Sequence, residues 1–584
     1  MNIKKDDKEI INKIIQLFKP YKWKIVLVIT CIIISSALSL ITPFINQKLI
    51  DEGLVMKNFD IITKYSIYTL MLIIIIQCLG IVETRYRSYI ENILSYNLEK
   101  EAFKHTLKLK MDFFCSTNYA EIMSNLRTDI NNISQIANQS TFYIVTSIFR
   151  IMVGIVGLIV IDWRLSILVM VVTPVRYFLV KYLAKKRKDI FEKLIENYEK
   201  YYRWYGDTIG GVKEIKIWGL ESLKTGELIK QQRNIIRQNI KMAYLSKVNE
   251  ISETVFTQII TALIYIIGGY MIIGEMFTIG KLVAFITYSA YVTAPIFAIM
   301  NIGYSFASVI PSAKRYFNFM NMDDEISANN AKLEGIEKNN VLGNIEFRNV
   351  KFSYENNQSV LRNINFKIES GEKVAIIGSN GSGKSTIINL ILRFLTPSSG
   401  EILLDGKDIN SIKLRDYRRL ISIVSQDIYL FNDTIRKNIM LNFRRTDEDM
   451  YLATKKTGAY NFIEEMPKKY ETVVGEKGSK LSGGERQKVA MARAFMRDSK
   501  ILILDEATAN YDIESECKVN NVIQESYKDK TVIIITHKPD ILLKVDKIIV
   551  INDGQVEAVG THLELYKINN FYREMITKSL KATI

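Results

Sequence analysis

Histidine is nearly absent from this sequence, with three residues in 584. That excludes a histidine-rich metal centre. Cysteine is almost as rare: Cys31, Cys78, Cys115 and Cys517 are scattered with no ligand-like spacing. A disulfide scaffold and a cysteine-rich zinc site are excluded by that pattern. Disorder is excluded as well, because 48% of the residues are hydrophobic and 10% aromatic.

Charge is also missing, but only over long stretches of the first half. Residues 25–47, 65–82, 254–274 and 282–313 carry none, 142–161 carry only Arg150, and 165–180 carry only Arg176. A helix needs about 20 apolar residues to cross a bilayer, at about 1.5 Å per residue. Six membrane spans are therefore expected, near 25–47, 65–87, 138–161, 164–185, 252–274 and 281–313. The core of a large soluble protein is the competing explanation, but a core helix does not need runs of this length. The first run is too long for a cleaved signal peptide and lacks a small-residue cleavage site.

Lys and Arg outnumber Asp and Glu by 78 to 62, a net charge of +16. The excess has an address. Lys4, Lys5, Lys8, Lys13, Lys19, Lys22 and Lys24 precede the first span, and Lys185, Lys186, Arg187 and Lys188 follow the fourth. The connections between spans one and two, three and four, and five and six are short and poor in net charge. Basic residues stay on the cytoplasmic side. Both termini and the long connections 84–139 and 181–253 are thus expected in the cytoplasm. The positive charge then serves anionic lipid rather than nucleic acid. Both connections lack proline, and Glu/Lys-rich stretches favour helical extensions of the spans.

The composition changes after Met322. Residues 323–344 are polar and read as a linker, followed by short β-type runs at 345–347, 351–354 and 373–377. The last run leads into Gly378-Ser379-Asn380-Gly381-Ser382-Gly383-Lys384-Ser385-Thr386 and then an apolar helical run. Glycines at these positions let backbone N–H groups wrap phosphate oxygens at a helix start. Lys384 supplies positive charge to the outer phosphates, and Ser385 offers a hydroxyl to Mg²⁺. Downstream, Ile501-Leu502-Ile503-Leu504 is a fully apolar strand ending in Asp505 and Glu506. Ligands gather at the carboxyl ends of such parallel strands. Asp505 there suits Mg²⁺, and Glu506 suits polarising an attacking water.

Between these elements lies Leu481-Ser482-Gly483-Gly484-Glu485-Arg486-Gln487, followed by a helical run through Ala494. Here the chain resembles the ATP-binding cassette family, of which this is the signature loop. The resemblance extends to Tyr354, to Gln426 in Val424-Ser425-Gln426-Asp427, to Gly475-Glu476-Lys477-Gly478, and to His537 in Thr536-His537-Lys538. In the first half, Phe113-Phe114 through Arg127-Thr128-Asp129, Asp162-Trp163-Arg164-Leu165-Ser166 and 210–216 resemble the loops of exporter-type half-transporters.

The resemblance implies a multidomain membrane protein. An all-α six-helix transmembrane domain over 1–322 would precede an α/β P-loop NTPase cassette over 345–584. It implies ATP and Mg²⁺ as cofactors. Tyr354 would stack on adenine, and Ser385, Gln426 and Asp505 would hold Mg²⁺. Glu506, Gln426 and His537 would be the catalytic groups. Each ATP would lie between the 378–386 loop of one cassette and Leu481, Ser482, Gly483, Gly484 and Glu485 of another, with Asp512 near the junction. One chain then holds half of each site. A homodimer is expected because this chain carries every catalytic element; a heterodimer with a second half-transporter is the alternative.

Two departures stand out. The family's Ser-Ala-Leu-Asp loop is Ala509-Asn510-Tyr511-Asp512 here, which puts the coupling of the two ATP sites in doubt. Ala120 replaces a glycine in the first coupling loop, a minor change. The implied activity is ATP-driven export, by alternating access, of an amphipathic drug, lipid or small peptide across a bacterial cell (inner) membrane. Two readings stay open on these residues: a siderophore-like importer on the same architecture, and a membrane sensor or immunity ATPase.

Cargo is less legible. Arg150 lies 11 residues before Ile161, and Arg176 lies 11 after Leu165. An antiparallel hairpin places both about 16 Å below the turn. A charge at that depth calls for a cavity, water or a partner. One reading is a basic patch that favours carboxylate- or phosphate-bearing cargo. The other is pairing with Glu83, or snorkelling toward the cytoplasmic face. Tyr265, Tyr270, Tyr288, Tyr291 and Tyr304 are either cargo contacts or packing anchors.

Overall fold

A computed structural model describes residues 5–583, except 117–118, 138, 326–333, 355–358, 442, 509–510 and 512; the side chains at 296–308 are also outside the described set. The chain forms two compact units. One comprises residues 1–107 and 118–322, the other 108–117 and 323–584.

The first unit is built on six long helices: α1 (Lys22–Lys48), α2 (Phe59–Thr106), α3 (Gln139–Ile161), α4 (Trp163–Gly210), α5 (Glu221–Ile273) and α6 (Ile279–Met320). The six apolar runs fall inside them, except that the fifth in chain order, 254–274, ends one residue beyond α5. Among the described residues, five helical stretches are long and apolar enough to cross a membrane. The sixth run, 282–313, lies in α6, where part of the side chains falls outside the described set. At 48 residues each, α2 and α4 far exceed a bilayer's hydrocarbon thickness of about 30 Å. No residue in the most apolar window of α2 is buried within the chain, as befits a face covered by lipid.

Local chemistry sets the helix starts. The Asp162 carboxylate accepts from the N–H groups of Arg164 (2.8 Å) and Leu165 (3.1 Å), capping α4. Thr278 caps α6, and Asp51 accepts from the Thr278 hydroxyl and the Gly280 N–H, both at 2.7 Å. Asp51 lies in a π-helical stretch, Leu49–Val55, so this contact ties that bend to the start of α6. A Cβ on Gly280 would sit 2.4 Å from the Gln47 carbonyl oxygen, which only glycine avoids. In the core, Gly157 makes room for the Tyr288 ring of α6, and the Tyr288 hydroxyl donates to the Leu40 carbonyl at 2.6 Å. Tyr291 donates to the Ser39 carbonyl at 3.2 Å. These two tyrosines are packing anchors. Tyr265 and Tyr270 are exposed, and the Tyr304 side chain lies outside the described set.

The second unit carries two sheets. A four-stranded antiparallel sheet has the order β2-β1-β4-β5, with β1 (Ile345–Ser353), β2 (Ser359–Ile368), β4 (Ser399–Leu404) and β5 (Lys407–Asp408). A six-stranded sheet has the order β10-β9-β3-β8-β7-β6. Its members are β3 (Lys373–Gly378), β6 (Ile421–Val424), β7 (Ile501–Asp505), β8 (Thr531–Ile535), β9 (Lys547–Asn552) and β10 (Gln555–Gly560). All its pairings are parallel except β9 with β10. Every residue of β3 and β8 is buried, which explains why both are apolar after their first residues, Lys373 and Thr531. The two runs expected at 345–347 and 351–354 are one strand. The register shifts past Phe347, where Asn349 takes a positive φ and its N–H bonds the Asn365 side chain, a bulge within continuous pairing.

The expected linker is tied down at its ends. The Glu325 N–H donates to the Lys108 carbonyl (2.8 Å), and its carboxylate accepts two bonds from Arg418 (2.8 and 3.1 Å). Residues 108–117 therefore group with this unit. Further on, the Asp405 carboxylate collects the N–H groups of Leu342, Gly343 and Asn344.

Candidate functional site

At the carboxyl end of β3 the chain turns through residues 379–383 into α7 (Lys384–Ile391). Gly381 (φ +82°) and Gly383 (φ +101°) adopt left-handed backbone. A Cβ on Gly378 would lie 2.1 Å from the Ile551 carbonyl, and one on Gly383 2.6 Å from Leu361. The ammonium of Lys384 folds over the loop and donates to the carbonyls of Gly378 (2.8 Å) and Ser379 (2.9 Å). Burial lowers the Lys384 pKa, against the pull of Glu506 and Asp505. Among the described residues the buried Ser382 hydroxyl has no hydrogen-bond partner. Ser379, Asn380, Gly381 and Ser385 are exposed, while Thr386 is buried. A glycine cradle, an ammonium satisfied only by carbonyls and an orphaned hydroxyl together fit a phosphate group. Tyr354 packs edge-on against Phe352, and its hydroxyl lies 3.5 Å from the Thr386 hydroxyl, at the rim of the same loop.

β7 delivers the acids. Burial raises the Asp505 pKa, reinforced by Glu506 and Asp427 and opposed by Lys384. Glu506 takes a left-handed φ of +48°, an uncommon conformation for a side-chain-bearing residue. Three contacts hold it there. Its N–H donates to the Ile535 carbonyl at 3.0 Å, its carbonyl accepts from Gln487 at 3.4 Å, and its carboxylate accepts from the Gln426 amide at 2.8 Å. His537 follows β8, and burial and the nearby Lys384 charge lower its pKa, against Glu506. Residues spread from Tyr354 to His537 thus converge at one end of the parallel sheet.

The signature segment is built differently. Leu481 is buried. Ser482 caps α8 (Gly483–Met496), its hydroxyl accepting the Glu485 N–H while Glu485 accepts the Ser482 N–H at 2.8 Å. Gly484 lies in the first turn. Among the described residues no hydrogen bond joins this segment to the 378–386 loop. Asp512, Ala509 and Asn510 lie outside the described residues. Tyr511, the conspicuous member of that loop, is buried in the core beside Ala490, Leu504 and Val519.

Two family models match: the ABC transporter transmembrane region over residues 25–296, and ABC transporter over 361–509. The chain belongs to the ABC transporters. Relatives run nearly its whole length. The uncharacterized ABC transporter ATP-binding protein YfiC of Bacillus subtilis (strain 168) is 29% identical, covering 98% of this chain and 94% of that protein. The ATP-dependent lipid A-core flippase of Syntrophus aciditrophicus (strain SB) is 27% identical, over 95% of this chain and 92% of its own. A solved bacterial Atm1-family ABC exporter with ATP bound shares the fold, with a TM-score of 0.81 and 24% identity, over 95% of this chain and 98% of that one.

In the transporter's membrane unit, Arg176 and Arg150 part ways. Arg176 is 1% exposed; it donates to the Thr293 carbonyl of α6 (2.7 Å) and pairs with Glu253 of α5 (3.1 Å). The expected partner Glu83 is therefore corrected to Glu253, because α4 packs along α5. Arg150 is half-buried, lies over the Tyr291 ring at 5.9 Å, and forms no ion pair among the described residues. In the sequence Gln487 and Lys538 stand out only as members of the 481–487 and 536–538 segments. Their contacts, Gln487 with the Glu506 carbonyl and Lys538 with the Thr508 carbonyl, join segments that the sequence does not link.

Proposed function

We propose that this ABC transporter hydrolyses ATP at the β3–β7–β8 site to drive export of an amphipathic cargo with an anionic headgroup. The observation that carries the reading is the Gln426–Glu506 hydrogen bond at the end of β7, facing Lys384 and His537. Nucleotide binding follows from the family; the residue roles are the finer proposal. Lys384 and the loop amides bind and neutralise the outer phosphates, and Tyr354 stacks on the adenine. Gln426 orients the Glu506 carboxylate so that it polarises the attacking water. His537, kept neutral by its surroundings, donates a hydrogen bond to the γ-phosphate. Ser385, Asp505 and Gln426 are the oxygen-bearing groups that would hold Mg²⁺, which would supply charge neutralisation on the phosphates.

A second copy completes each site by bringing Ser482 and the α8 N-terminus to the ATP. Large apolar side chains lie bare on this chain beyond its apolar windows, including Trp218 (70% exposed), Tyr244 (68%) and Ile240 (63%). Such a surface suits burial by a partner. The distribution of lysine and arginine supports placing both termini and the cassette in the cytoplasm of a bacterial cell.

Several full-length relatives carry the name ATP-dependent lipid A-core flippase. Of the two intramembrane arginines, Arg176 spends its charge on Glu253, which leaves Arg150 to attract an anionic headgroup. Nothing observed favours import or a sensor role. The test is translocation of a fluorescent phosphate-bearing lipid in proteoliposomes. ATP-dependent movement, lost in Glu506→Gln and slowed in Arg150→Gln, supports the proposal. Equal movement in all three refutes it.

A further inference from the structure

The turns that carry Glu506 and His537 are not held together by packing alone. A cavity of about 210 Å³ lies between them, lined by Glu506, Thr508, Ile523, His537, Lys538 and Ile541 among others. Close-packed side chains would fix such a separation, and an open space does not. At the strand ends the Glu506 N–H bonds the Ile535 carbonyl at 3.0 Å; beyond that point Lys538 bridges the gap. Its ammonium donates to the Thr508 carbonyl at 3.0 Å and to one oxygen of Glu516 at 2.7 Å. The other oxygen of Glu516 accepts the Thr508 hydroxyl at 3.0 Å, which closes a ring of three residues. The Lys538 N–H donates to the Thr536 hydroxyl at 3.1 Å, so the side chain's root is fixed as well. Glu516 stands on α9 (Ile513–Ser526) and is largely buried, and Thr508 and Thr536 are both buried.

We infer that Lys538 is a positioning residue for hydrolysis. It clamps the turn after β7, two residues beyond Glu506, to the turn after β8, one residue beyond His537. Neither end of the clamp touches the phosphate loop. The ring therefore adds to the strand-end bond in setting the separation of the two hydrolytic side chains, without contributing to nucleotide affinity. Charge-assisted hydrogen bonds in a half-buried setting are strong enough for this role. The inference rests on the reading of Glu506 and His537 as the hydrolytic groups.

The experiment uses the full chain reconstituted in liposomes. Lys538→Met keeps the length of the stem and removes the ammonium; Lys538→Arg keeps the charge; Glu516→Gln weakens the other arm. Misplacing reacting groups by about 1 Å costs on the order of 100-fold in rate. Lys538→Met is expected to lower kcat by roughly 10- to 100-fold on that basis, with the KM for ATP and the affinity for a fluorescent ATP analogue unchanged. Lys538→Arg recovers most of the activity, and Lys538→Met/Glu516→Gln is no worse than the more impaired single variant. Four results each overturn the inference: undiminished kcat in Lys538→Met, a loss of ATP affinity matching the loss of rate, no recovery with arginine, or multiplicative losses in the double variant. Glu506→Gln is the control. If it still hydrolyses ATP, the reading of the site fails; if it is inactive while Lys538→Met is fully active, only the clamp fails.

Discussion

The amide of Gln426 donates to the carboxylate of Glu506 across 2.8 Å. Gln426 follows the edge strand β6 and Glu506 follows β7, and the two strands are adjacent and parallel. The contact aims one carboxylate oxygen and leaves the other for a water. Gln426→Ala removes the aim but not the base. It is expected to lower the ATPase kcat by about tenfold, a fraction of the 10²–10⁴ attributable to a general base itself. Steady-state kinetics on the reconstituted protein check this.

Glycine at 383 is required twice over, by its left-handed φ and by Leu361 at 2.6 Å from any added Cβ. Gly383→Ala is expected to abolish ATP binding and to cost about 1–3 kcal/mol of cassette stability from backbone strain. Nucleotide titration and thermal unfolding read the two effects separately.

The pH dependence of stability has a definite sign at Asp505. Its folded pKa lies above the ordinary carboxylate value because of burial and the Glu506 charge. The folded state therefore holds that proton more tightly, and the stabilising effect is present at acid pH and lost as pH rises through the folded pKa. Asp505→Asn should raise the nucleotide-free melting temperature at pH 7, and the gain should shrink towards pH 4. His537 runs the other way. Its lowered folded pKa favours the neutral ring, so its contribution is complete above the ordinary histidine pKa and lost on acidification.

Arg176 is buried and relies on Glu253, whose side chain is 31% exposed. Glu253→Gln leaves the guanidinium without a counter-charge. The expected destabilisation is roughly 2–3 kcal/mol, below the 3–5 of a fully enclosed pair because water reaches Glu253. Replacing both residues together, Arg176→Met with Glu253→Gln, should recover most of that loss. Thermal unfolding in detergent distinguishes the single from the double variant.

The nucleotide loop was legible because phosphate chemistry needs Gly378, Gly381, Gly383 and Lys384 at fixed spacing along one segment. The spans were legible because charge in lipid is costly, so runs of about 20 residues carry at most one. Contacts between distant segments were not. Nothing in the sequence marks Glu253, rather than Glu83, as the partner of Arg176, since that depends on which helices lie side by side. The Lys538–Thr508–Glu516 ring draws on three segments with no shared motif. Tyr511 looked anomalous in its loop, yet the structure seats it in the core, where its ring fills apolar space. The linker's polar composition does not reveal the bonds at its described ends, to Arg418, Lys108 and Asp405.

The central claim is that this chain alone hydrolyses ATP through Glu506. The most direct measurement is the ATPase rate of the purified chain in liposomes, beside Glu506→Gln. The account predicts vanadate-sensitive turnover in the native protein and near-complete loss in the variant, with ATP still bound. Undiminished turnover in Glu506→Gln, or no turnover in well-folded native protein that binds ATP, would contradict it.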